Sequence, residues 1–136
     1  MASSAWEMQK AIFASLIADT ALTDLLGGPR VYDDVPRGAE LPYITFGQST
    51  VRDWSTGTDT GHEHLFTLHV WTRVNGERIA HQIMSAVCDR LHDAALTLAG
   101  FKLVNLRHEF SDSFRDGDGE TIHGVVRYRA VTEPLA

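Results

Sequence analysis

The chain has 136 residues, of which 43% are hydrophobic, and it carries a formal net charge of −6. That is enough apolar material for one core, so a single domain over residues 1–136 is expected. The acidic balance argues against a general affinity for DNA, RNA or anionic membrane, and the single cysteine, Cys88, excludes an internal disulfide.

In chain order, Ser3 or Ser4 can cap a first helix, with Glu7 completing a capping box if Ser4 is the cap. Trp6, Met8, Ile12, Phe13, Leu16 and Ile17 cover about half of its circumference. Ala11, Ala14 and Ala18 leave a smooth opposite side, suited to solvent or a neighbouring subunit. The apolar run from Ala11 to Ala18 is too short to span a bilayer and lacks a cleavage site, so synthesis and folding in the cytoplasm are expected. Thr20 opens a short second helix through Leu22, Leu25 and Leu26, which Gly27-Gly28 ends.

Arg30 to Asp33 reads as a brief strand, and Tyr43, Ile44 and Phe46 begin another after an irregular Pro/Gly connection. Residues 49–61 are rich in Ser, Thr, Gly and Asp, with one large side chain at Trp54. They read as a mobile excursion between two strands. Then the alternation becomes strict: His64, Phe66, Leu68 and Val70 point one way, and Leu65, Thr67, His69, Trp71 and Arg73 the other. This is a central strand, in which both Val70 and Trp71 are expected to be buried. Asn75-Gly76 stops it.

Beyond the turn the period lengthens. Ile79, Ala80, Ile83, Met84, Val87, Leu91 and Ala94 fall on one helical face, and Gly100 ends the helical region. Residues 101–111 and 120–132 then form an antiparallel hairpin around a Gly/Asp turn. The fold class is α+β: an antiparallel sheet of about four or five strands with two main helices packed on one face.

Three clusters invite a chemical reading. His62-x-His64 has a spacing used by zinc and nickel sites, but no third ligand stands out, and the pair reads as solvent-facing at a strand end. Asp116-x-Asp118-x-Glu120 has the spacing that opens a calcium loop, yet strands flank it and Asp-Gly is hairpin-turn chemistry. Arg127 and Arg129 share a strand face with His123 and can bind phosphate or pair with a carboxylate across the sheet. Cys88 reads as an inert half-buried thiol. No nucleophile elbow, phosphate loop or His-Glu-x-x-His helix is present, so no catalytic, metal or cofactor residue is assigned.

Gly38 with LPYITFG from Leu41 to Gly47, FTLHVWTR from Phe66 to Arg73, Gly76, the RLHDA helix end, Gly100, and DGDGETIHGVVRYRA from Asp116 to Ala130 form an ordered series. In that order and spacing the chain resembles the tail terminator (tail completion) proteins of long-tailed bacteriophages and of phage-like gene transfer agents. The resemblance runs from about Ala11 to Glu133. It implies a virion structural protein rather than an enzyme, in a hexameric ring that caps the tail tube, ends its polymerisation and joins the tail to the head. Its implied partners are further copies, the major tail tube protein and the head-completion or connector protein, with DNA only passing through the lumen and no membrane contact.

Within the polar excursion, Arg52, Asp53 and Trp54 have the composition of a binding hot spot and are the expected interface residues. The competing expectations are a small metal-dependent hydrolase using His62 and His64, and a monomeric binding module.

Overall fold

The computed structural model describes residues 3–73 and 75–135. It contains three helices, α1 (Ser4–Ile17), α2 (Thr20–Leu26) and α3 (Glu77–Leu91). The five strands are β1 (Val31–Tyr32), β2 (Tyr43–Asp53), β3 (His62–Arg73), β4 (Phe101–Arg115) and β5 (Thr121–Pro134). They form one sheet in the order β1-β2-β3-β5-β4, antiparallel except for the β1–β2 pair. This is the α+β architecture that the periodicities predict, with the short α2 as a third helix.

α1 starts where Ser3 accepts the Trp6 N–H through its hydroxyl, 3.3 Å away. With Ser3 as cap, Glu7 lies one position too late for a capping box and pairs instead with Lys10 at 2.9 Å. Beyond Ser4 at its start, only Met8, Ile12 and Leu16, one residue per turn, are buried. Trp6 and Phe13 stay substantially exposed, so the apolar face is narrower than its composition suggests. Asp19 caps α2 by accepting from the N–H groups of Ala21 and Leu22. Gly27, at φ +83°, ends it in the left-handed conformation that side chains disfavour.

The helices cover one sheet face. Ile44, Phe66, Leu68, Val70, Val126, Tyr128 and Ala130 meet Met8, Ile12, Leu16, Ile83, Val87 and Leu91 in one continuous core. β3 lies in the middle, paired with β2 on one side and with β5 without a break from His62↔Thr132 to Arg73↔Thr121 on the other.

Three expectations for β3 and α3 are corrected. Val70 is fully buried, but Trp71 alternates onto the uncovered face and is half-buried there, stacked on His123 with its indole N–H donated to Thr45 Oγ1. α3 stops at Leu91, so Ala94 is outside the helix. Asp93 takes φ +57° and its N–H reaches Leu106 O on β4, turning the chain away from the helix axis. Ile79 is exposed rather than part of the buried stripe.

The polar excursion expected from Ser49 is strand as far as Asp53. β2 shifts register between Phe46 and Ser49 and then pairs again with β3 through Arg52↔Glu63 and Asp53↔His62. The β4–β5 hairpin is also longer than expected, with two irregularities in β4, between Leu103 and Asn105 and between His108 and Phe110.

Candidate interaction surface

Strand alternation decides what the uncovered face carries. The register places Glu63, Thr67, His69 and Trp71 of β3 beside His123, Val125, Arg127 and Arg129 of β5 on that side. β4 adds Phe110 and Phe114, both well exposed, and Arg127 sits over the Phe110 ring at 5.7 Å. Large apolar side chains gathered on one exposed face of a small domain make it a candidate interaction surface.

At one end of this face stands a charge cluster. Glu63 is only 3% exposed, and both its oxygens are taken: Arg52 donates Nε–H to Oε1, and Arg129 donates Nε–H to Oε2 at 2.6 Å. A carboxylate this far from water is tolerable only when paired and hydrogen-bonded. The Arg52 guanidinium, helped by Arg129, holds the Glu63 carboxyl below its ordinary range. The Trp54 indole lies over Arg129, 5.1 Å from guanidinium carbon to ring centre, while about half of its surface stays open to solvent.

Of the three residues singled out from composition, the fold therefore unites Arg52 and Trp54 but not Asp53. Asp53 takes the next strand position, on the opposite face, and accepts from the Ser55 N–H at 3.0 Å and the Ser55 hydroxyl at 2.5 Å. Those bonds lower its pKa and start the turn. Segment 54–61 is tied to itself by Trp54 N–H to Gly61 O, Thr56 N–H to Asp59 O and Gly61 N–H to Ser55 Oγ.

Glu63 and Arg129 are the members that composition did not single out as interface residues. A carboxylate 66 positions from its arginine shows no local pattern. The strict alternation of Arg127 and Arg129 was the available signal, and cross-sheet carboxylate pairing is the option that Arg129 takes.

At the other end, His69 Nδ1 and His123 Nε2 lie 2.6 Å apart, one donating and one accepting. Gly47 makes room for the pair, because a β-carbon there would lie 2.2 Å from His69 Nε2. Trp71 stacks on His123 with ring centres 3.9 Å apart, and Phe114 leans on it at 4.9 Å. Partial burial pushes the pKa of both histidines down.

The remaining clusters are structural. His64 is 1% exposed, not solvent-facing, because its side of β3 is the helix-covered side, and its Nε2 meets Thr132 Oγ1 at 2.8 Å. Burial, with His62 adding to it, pushes its pKa down to about 4. Among the described residues, no group of three or more His, Cys, Asp or Glu is placed to hold a metal ion. Asp118 accepts from the N–H groups of Glu120 and Thr121 and from the Thr121 hydroxyl, so its carboxylate closes the β4–β5 turn. Burial, then the charge of Asp89, raises the Cys88 thiol. No helix among the described residues is long and apolar enough to cross a membrane.

Comparison with known proteins adds an independent line. The sequence pattern of the family described as tail completion protein gp17 matches residues 10–133. Tail completion protein gp17 of Bacillus phage SPP1 is 23% identical over 125 residues, spanning 90% of this chain and 89% of that protein. A chain in the virion of a native gene transfer agent particle superposes with a TM-score of 0.88 at 30% identity, covering 97% of this chain and 99% of that one. The structure of bacteriophage SPP1 gp17 superposes with a TM-score of 0.53 at 19% identity, over 98% and 91% of the two chains, a likeness of fold.

Proposed function

Because this chain belongs to the tail completion protein gp17 family and is a structural protein of a phage-like tail, we propose that it closes the tail. In this reading copies form a ring, hexameric by resemblance to the family, on the end of the tail tube. The ring ends tube polymerisation and presents a surface to the head-side connector. Its partners are further copies of itself, the tube protein and the connector protein, and its work is structural rather than catalytic.

The observation that carries the reading is the uncovered sheet face, where Trp54, Phe110 and Phe114 stay exposed beside Arg52, Arg127 and Arg129. Tryptophan, phenylalanine and arginine are enriched in protein interfaces, and tryptophan and arginine dominate their hot spots. A subunit that formed no lasting contacts would gain nothing from keeping such side chains in water. A net charge of −6 also suits a conduit, since an acidic wall forms few of the ion-releasing contacts that would hold passing DNA.

The test is Trp54→Ala in a host that makes the particles. The variant subunit folds normally, and electron micrographs show fewer joined particles, with tails left unattached or overlong. Joining at the native rate would reduce segment 54–61 to a connector.

A further inference from the structure

We infer that the groove between α1 and β1 docks a basic segment of another virion protein, which lays an arginine or lysine between aromatic walls and an acidic rim. The inference takes the structural tail role as its premise and does not depend on copies forming a ring.

The groove has a volume of about 450 Å³ and is walled by Trp6, Phe13, Tyr32 and Phe46, with Asp33 and Asp34 on its rim. Trp6 and Phe13 are surplus to the fold, since Met8, Ile12 and Leu16 already anchor α1 in the core. Val31 and Tyr32 pair with Ile44 and Thr45, so the two aspartates follow directly from a fixed strand. Arg30 donates to Leu41 O and to the Glu40 carboxylate, 3.3 Å in each case, and so closes loop 33–42 at its base. The rim is therefore held before any ligand arrives, which lowers the cost of binding.

Charge selects a cation. Lys10 also lines the groove, but Glu7 holds its ammonium group at 2.9 Å, and that pair is neutral. Asp33 and Asp34 are adjacent and exposed, and neither forms an ion pair among the described residues. Two neighbouring carboxylates repel, and one incoming cation relieves both. The rings act in the same direction, because the face of an indole attracts a guanidinium or ammonium group. An acidic or wholly apolar segment would strip water from the aspartates and give nothing in return.

The same balance disfavours a second copy as the occupant. Arg52 and Arg129 share Glu63 beside Asp59 and Glu133, and Arg107 and Arg115 are paired with Asp93 and Glu77. The chain as a whole carries −6, so a different protein with a basic segment brings the charge that this one lacks.

The test begins with the purified chain and a fluorescent hexapeptide of alternating arginine and leucine. The peptide binds, and Asp33→Asn with Asp34→Asn weakens binding about fivefold. Glu109→Gln with Asp112→Asn removes the same charge from β4, at the opposite edge of the sheet, and leaves binding unchanged. No binding, equal effects of the two pairs, or equal binding of a glutamate–leucine hexapeptide overturns the inference. In particles, Phe13 is replaced by benzoylphenylalanine, the particles are irradiated, and linked peptides are sequenced by mass spectrometry. The expected link is to a segment of a different virion protein that carries lysine or arginine. A link to a second copy of this chain, a link to a segment without either residue, or no link from particles that contain the chain overturns the inference. Copies per tail, counted in the same particles, test the ring separately: several copies without such a link leave the ring standing and the docking site refuted.

Discussion

The two faces of the sheet are made from the same strands by different chemistry. Toward the helices β3 presents Phe66, Leu68 and Val70, all buried, with matching residues of β5 beside them. Toward the other side the same strand presents Glu63, Thr67, His69 and Trp71, among arginines and half-exposed rings. The covered face holds the domain together, and the uncovered face is free to be spent on recognition. Because side chains alternate, one strand serves both ends without compromise, and a substitution one position along acts on a different property.

The sharpest way to break this contrast is on the covered side. Leu68→Ala removes a fully buried side chain from the core centre and should cost about 2–5 kcal/mol in urea unfolding. A loss no larger than that of a surface variant would show that the core is not where the stability lies.

Acid should act next, through His64. Its folded pKa of about 4 lies below the ordinary 6.5, so the unfolded chain binds the extra proton first. The stabilisation is complete above pH 6.5 and is lost as pH falls toward 4, a displacement worth on the order of 3 kcal/mol. His69 and His123, also lowered, contribute in the same direction. Unfolding midpoints of His64→Leu should vary less between pH 6.5 and 4 than those of the native chain. An undiminished dependence would assign the effect to the histidine pair on the uncovered face.

Trp71→Ala tests the uncovered face itself. The ring is half-buried on His123, not packed under a helix, and its loss should cost about 1–2 kcal/mol. A penalty as large as that of Leu68→Ala would erase the distinction between the faces. The smallest effect belongs to Trp54→Ala. Thermal unfolding should stay within about 0.5 kcal/mol of the native chain, because the ring covers only an arginine that Glu63 already holds.

What the sequence revealed and concealed follows the range of each interaction. The period of two in β3 and the helical period of α3 are local, and both elements form where their patterns indicate, although α3 ends at Leu91, before Ala94. The same alternation already separated Trp71 from Val70, and only the habit of burying tryptophan assigned it to the core. Residues Ser49 to Asp53 look like loop because they are mostly polar, but Thr50 and Val51 are β-branched and the ladder to Glu63, His64 and Leu65 makes them strand. His64 finds its buried hydrogen-bond partner in Thr132, and Glu63 one of its two arginines in Arg129, both more than sixty positions away. No spacing rule reaches that far. Replacing both His62 and His64, harmless if the pair were solvent-facing, should instead disturb the core.

The outer edge of β4 has a consequence for how the free chain behaves in solution. Along fifteen residues this strand pairs on one side only, and a straight unpaired edge is a ready seed for aggregation. The two irregularities interrupt its ladder, and Lys102, Arg107, Glu109, Asp112 and Arg115 set charges of both signs along it. An incoming strand would have to match both breaks and strip water from those charges. The subunit can therefore accumulate before assembly without polymerising edge to edge into fibres.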